Sequence, residues 1–196
     1  SSTNVASTDW MLDSPTNNFA TLNAIVSDVA AGTTPLSQGN LAYSTPSVGS
    51  GFGASTIAFP STGKWYAELC ITSNNTNSPF VGMVKSDANN QYLYGDSNSI
   101  FYISNGSYGN STLSVNGSNV DSDTGSDFGD GDIIGIGFDG TDVTFRKNNS
   151  LIYTRTFDAS GLVLAVGDGT GGGGVSGVLN FGQDSSFAGD KTAQGN

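Results

Sequence analysis

DGDIIGIGFDGTDVTFRKNNSLIYTRTF, running from Asp130 to Phe157, sets a turn, an apolar strand, a tight turn, an alternating strand, another turn and a third strand in succession. Ile133, Ile134, Ile136 and Phe138 form a nearly continuous apolar run bounded by Gly and Asp, as expected of a strand buried on both faces. Asp139-Gly140 supplies hairpin chemistry, because both residues tolerate positive φ. Val143 and Phe145 alternate with Asp142, Thr144 and Arg146, which predicts one dry and one wet face. Asn148-Asn149 then turns the chain into Leu151, Ile152 and Tyr153. The reading is a β-meander at the centre of the protein with no catalytic residue in it, a scaffold that displays surfaces.

Composition extends this reading to the whole chain. At 196 residues it is long enough for one good core. Gly is abundant at 28 residues, charged residues are only 12%, and Ser, Thr and Asn fill their place. Those side chains compete with helical hydrogen bonding, so all-β structure is expected. The best helix candidate, Asn17 to Ala31, ends at Gly32-Thr33-Thr34-Pro35 and amounts to a short turn of helix at most. A net charge of −11, with six Lys plus Arg and no His, weighs against nucleic acid, whose phosphates call for clustered cations. No apolar run approaches the roughly 18 residues of a membrane-spanning helix, so no membrane insertion is expected. The single Cys70, in the apolar strand Trp65 to Ile71, reads as a small buried hydrophobe.

Further strands are expected at Leu41 to Tyr43, Lys64 to Thr72, Pro79 to Lys85, Gln91 to Gly95, Ser99 to Ile103, Thr112 to Val115, Leu162 to Val166 and Val175 to Phe181. Ile57 and Phe59 alternate toward Pro60, whereas Ser47 to Ser55 reads as a Gly/Ser-rich loop. Many short strands with turn residues between them predict a two-sheet antiparallel β-sandwich.

Five segments, in order, resemble the SPRY (B30.2-like) family. Gly63-Lys64-Trp65-Tyr66-Ala67-Glu68 is similar to its opening strand, and Phe80-Val81-Gly82-Met83 to the strand that follows. Gly131-Asp132-Ile133-Ile134-Gly135-Ile136 with Phe138-Asp139 resembles its GDxIGxxxD signature. Phe145-Arg146-Lys147-Asn148-Asn149 resembles fxkNG, with Asn149 in place of the usual Gly, and Asn180-Phe181-Gly182-Gln183 with Phe187 resembles the closing strand. A narrower likeness lies in Met11 to Asn23, which resembles the segment preceding SPRY-like domains in virion proteins of tailed bacteriophages. Together these imply a concanavalin-like sandwich (a SPRY jelly roll) without enzymatic activity, in a tail, fibre or capsid-decoration protein. Residues 1–48 are then an extended segment packing on the sandwich, 49–187 the SPRY-like domain and 188–196 a polar tail.

For a ligand surface, Tyr92, Tyr94, Phe101, Tyr102 and Tyr108 are the aromatic candidates, since Tyr suits a contact that is apolar in body and wet at its tip. Alternate members of this set are also suited to filling the core. Tyr94 and Tyr108, flanked by Gly, Asp and Asn, are the expected exposed pair, with Asp96 and Asn105 beside them.

Asp121, Asp123, Asp127, Asp130 and Asp132 crowd one expected loop, where calcium is conceivable. Ser126 stands where an EF-hand loop needs Gly, so a solvated acidic loop is the preferred reading and no metal or other cofactor is assigned. Glycoside hydrolysis needs two facing carboxyl groups, and Glu68 is the chain's single Glu. Gly171 to Gly174 precedes a strand and lacks the Gly-Lys-Ser/Thr ending of a phosphate loop. The expected function is therefore non-enzymatic: virion assembly or host-surface attachment, through other virion subunits or a host glycan or protein. A homo-oligomer within the particle and a virion or extracellular location are expected with it. The alternative is a secreted, lectin-like carbohydrate-binding module, calcium-assisted or not.

Overall fold

The computed structural model describes residues 18–24, 34–46, 51–74, 78–85, 96–105, 110–169, 174–184, 186–187 and 191. Thirteen strands are formed among them: β1 Leu36–Ser37, β2 Ala42–Ser44, β3 Gly51–Ala58, β4 Trp65–Asn74, β5 Pro79–Lys85, β6 Ser99–Asn105, β7 Asn110–Val115, β8 Ser118–Thr124, β9 Ile133–Phe138, β10 Asp142–Lys147, β11 Ser150–Thr156, β12 Leu162–Asp168 and β13 Val175–Asn180. They build two antiparallel sheets, ordered β1-β2-β13-β4-β9-β10-β11 and β3-β12-β5-β6-β7-β8. This is the all-β, two-sheet sandwich that the turn-rich sequence predicts.

The β9–β10–β11 meander forms as read. Val143 pairs with Phe138 and Phe145 with Tyr153. Asn148 and Asn149 both take positive φ (47° and 69°), the backbone of a tight hairpin turn whose twist matches the strands. The inward set of β9, Ile134, Ile136 and Phe138, lies in the main core with Val143, Phe145, Tyr102, Leu164 and Leu69. Ile133 points the other way and packs with Cys70, Val178 and Phe187 on the outer face of the seven-stranded sheet. Each sheet thus buries apolar side chains on both faces. On the far side of the six-stranded sheet, Phe80 and Phe101 meet edge to face at 5.3 Å.

A hydroxyl network is buried at the margin of the core. Tyr102 donates to the Ser126 carbonyl. The Ser111 hydroxyl contacts those of Ser126 and Tyr153, the latter at 2.8 Å. Burial pushes the Tyr102 phenol well above its ordinary range, which keeps it a neutral donor. Tyr102 also packs against Phe128, Phe145 and Tyr153 at 4.7, 5.8 and 5.4 Å between ring centroids.

Three elements differ from the sequence reading, and the strand expected at Gln91 to Gly95 lies outside the described residues. β1 forms where no strand is expected, pairing Leu36 with Tyr43. The supposed loop up to Ser55 becomes β3 at Gly51. Gly53 there lies under Leu22, where an added Cβ would come within 3.3 Å of its methyl groups, so the missing side chain seats the N-terminal segment. Leu22 itself bridges Ser55 in extended conformation, which excludes a helix at that residue. The acidic loop likewise yields β8, an edge strand exposed at every position. It carries no apolar alternation because it has no buried face, and its charges discourage pairing with another edge.

Candidate functional site

At one end of the sandwich the β3–β4 loop, the β9–β10 turn, the β11–β12 loop and the residues after β13 gather. Trp65 pairs with Phe138 and Glu68 with Asn180, and the Gly161 N–H donates to the Phe59 carbonyl. Between the sheets at this end lies a groove of about 290 Å³. One lip is Ile57, Phe59 and Pro60; the other is Trp65, Tyr66 and Phe181; Asn18 to Ala20 closes the side. Ile57, Trp65 and Tyr66 are 41%, 44% and 40% exposed and gather here, whereas the other exposed large apolar residues among the described ones, Val120 and Leu151, stand singly on the edge strands β8 and β11. A concave, mainly apolar trough of this kind is the usual form of a small binding site.

The rings are held in place. Trp65 donates from Nε1 to the Thr62 carbonyl at 2.9 Å, which fixes the indole edge and leaves its face available. Phe59 sits edge to face against Phe138, with centroids 6.3 Å apart. The Tyr66 phenol lies over the bare backbone of Gly135, where an added Cβ would fall 2.2 Å from its oxygen. Tyr66 donates to Glu68 Oε1 at 3.2 Å, and Asn180 Nδ2 donates to Glu68 Oε2 at 3.0 Å. Asn180 Oδ1 in turn accepts from the N–H groups of Gly182 and Asp184. Glu68 therefore ties the opening strand to the closing one and braces the groove from behind. Both carboxyl oxygens are engaged by neutral donors, a structural arrangement rather than an acid–base pair across a cleft. On the rim, the N–H groups of Asp142 and Thr141 hold the Asp139 carboxyl below its usual range.

The residues singled out in the sequence fall elsewhere. Tyr92, Tyr94 and Tyr108 lie outside the described residues. Asp96 accepts from the Asn98 N–H at 3.0 Å in a turn leading into β6, while Asn105 ends that strand opposite Asn110. The length of β6 holds Asp96 and Asn105 about 20 Å or more apart, at opposite ends of the sandwich. Tyr102 is core, and Phe101 is buried on the other face of its sheet.

Of the five aspartates, Asp121 and Asp123 stand on β8. Asp132 accepts from Gly129 N–H and Asn148 Nδ2 and pairs with Lys147 at 3.4 Å, so its oxygens serve the β8–β9 loop. Among the described residues no group of three or more metal-ligating acidic, His or Cys side chains is formed. The groove is not among the surfaces expected from the sequence. Its one signal was the Trp65-Tyr66 pair at the start of a strand, since adjacent residues point to opposite faces and both cannot enter one core.

No protein-family model matches the chain, and no curated protein matches it in sequence. Solved structures do match. The SPRY domain of human HERC1 is similar over 83% of this chain and 99% of its own, with a TM-score of 0.64 at 18% identity. The PSpry domain of TRIM65 covers 83% of this chain and 90% of its own, with a TM-score of 0.60 at 14% identity. A carbohydrate-binding module, CBM66 from Bacillus subtilis, covers 82% and 91% respectively, with a TM-score of 0.50 at 15% identity. The two sheets of this chain form a SPRY-like jelly-roll sandwich.

Proposed function

We propose that the protein is a non-enzymatic binding domain whose contact surface is the groove between Ile57, Phe59 and Trp65, and that it serves attachment or assembly in a bacteriophage particle. The observation that carries the binding role is the set of large rings held open to solvent on a rigid frame, with the single Glu committed to bracing them. Exposed aromatic faces of this kind supply most of the contact energy in binding sites. A particle displaying many copies would convert weak single contacts into firm attachment. The phage setting rests on the likeness of Met11 to Asn23 to segments of virion proteins. It is tested by immunogold electron microscopy of phage particles with antibody raised against this chain. Labelled tails, fibres or capsids support it, and unlabelled particles that lack the protein by mass spectrometry refute it.

A second reading, a lectin-like module, is favoured by the same exposed Trp65 and Tyr66, since ring faces stack on sugars as readily as on side chains. A glycan array probed with and without chelator separates the two. Strong binding to soluble glycans by the isolated chain favours the lectin, and loss of that binding in chelator adds calcium to it.

A further inference from the structure

At the other end of the sandwich three polar side chains are buried together between the sheets. Asp168 ends β12 with no exposed surface, Tyr43 stands on β2 at 3% exposure and Thr34 precedes β1 at 2%. Asp168 lies directly across the β3–β12 ladder from Gly51. The side-chain position of Gly51 is 2.9 Å from Thr34 Oγ1, so the Thr34 hydroxyl occupies the place opposite Asp168 on the ladder. A side chain at Gly51 would fill this space and also strike Pro46. Tyr43 comes from the opposite sheet, and the Asp168 charge acts on its phenol after burial, both raising it far above its ordinary range. Its hydroxyl is therefore a neutral group. Neither the Tyr43 hydroxyl nor the Thr34 hydroxyl has a hydrogen-bond partner among the described residues. A buried hydroxyl group left so is costly, and two of them near one buried carboxylate point to a ligand.

We propose that Asp168, Tyr43 and Thr34 form a binding site for a monovalent cation of the sodium or potassium class, which ties the β1–β2 edge to the six-stranded sheet. One carboxylate with neutral hydroxyl oxygens balances a single positive charge, and hard oxygen donors suit an alkali cation. A divalent ion would leave a buried excess of charge.

The test is thermal unfolding of the full chain in sodium, potassium or tetramethylammonium chloride at equal ionic strength. With the cation at about ten times its dissociation constant, the folded-to-unfolded ratio rises about elevenfold, a Tm higher by about 3–5 °C. Asp168→Asn abolishes the difference between salts, and Tyr43→Phe, which keeps the ring, reduces it. Equal Tm values in all three salts overturn the proposal and leave a bound water as the occupant. A salt preference that survives unchanged in Tyr43→Phe and Asp168→Asn overturns it as well. Should Asp168→Asn fail to fold, Tyr43→Phe and Thr34→Val decide.

Discussion

Replacing Gly135 with Ala probes how the fold holds the groove. Gly135 has ordinary strand backbone, so the added methyl meets no conformational barrier of its own. Its nearest neighbours are the Tyr66 oxygen, Cζ and Cε2, at 2.2, 2.9 and 3.0 Å. Because the ring is 40% exposed, it relieves the clash by swinging into solvent rather than by distorting β9. That movement breaks the bond to Glu68, and a hydrogen bond to a carboxylate contributes about 1.5–3 kcal/mol. Replacing Gly with Ala returns about 0.4–1 kcal/mol by restricting the unfolded chain. The net loss is about 1–2 kcal/mol, a Tm lower by roughly 2–8 °C for a chain of this size.

Urea titration of wild type, Gly135→Ala, Tyr66→Ala and the double variant measures this as a cycle. In the Tyr66→Ala background the cost of Gly135→Ala should vanish or turn slightly favourable, because the atoms it strikes are gone. A penalty of the same size in both backgrounds would show that β9 itself rejects the methyl, and the bracing argument would fail.

Two further outcomes follow from the buried hydroxyls and the central turn. Tyr43 and Tyr102 have folded pKa values raised above the unfolded value near 10, so their stabilising effect is complete below that pH and is lost as pH rises. At pH 11 each costs about 1.4 kcal/mol; urea midpoints should drop steeply above pH 10, with these phenols ionising only on unfolding, whereas seven tyrosines titrating together in the folded protein would contradict it. Asn149→Gly relieves a non-Gly residue at φ 69° and should stabilise by about 0.5–1 kcal/mol in chemical denaturation. Asn148→Gly should destabilise by about 1–2 kcal/mol, since its side chain accepts from Ile133 N–H and donates to Asp132; equal effects at the two positions would refute the distinction.

The meander was legible because its apolar periodicity, Asp-Gly and Asn-Asn turns agree with one another, and such agreement is what specifies a strand order. β3 was illegible because its contacts are supplied from a distance. Gly53 reads as loop until Leu22 is seen resting on it, thirty-one positions earlier. β8 carries no pattern because it has no buried face. Glu68 is legible as a strand residue, but its partner Asn180 lies 112 positions away in the closing motif. The groove is not encoded locally for a related reason. Exposure of Trp65 depends on where β4 begins relative to Phe59 and Phe181, and periodicity along one strand does not encode that.

The central claim is that binding runs through the aromatic groove. It is tested most directly by comparing retention of fluorescently labelled wild-type and Trp65→Ala protein on a panel of bacterial cells and immobilised glycans. The account predicts at least a tenfold loss of retention with Tm changed by no more than a few degrees, because an exposed ring is removed from a contact and little from the core. Retention by Trp65→Ala equal to that of wild type, on surfaces that hold the wild type firmly, would contradict it.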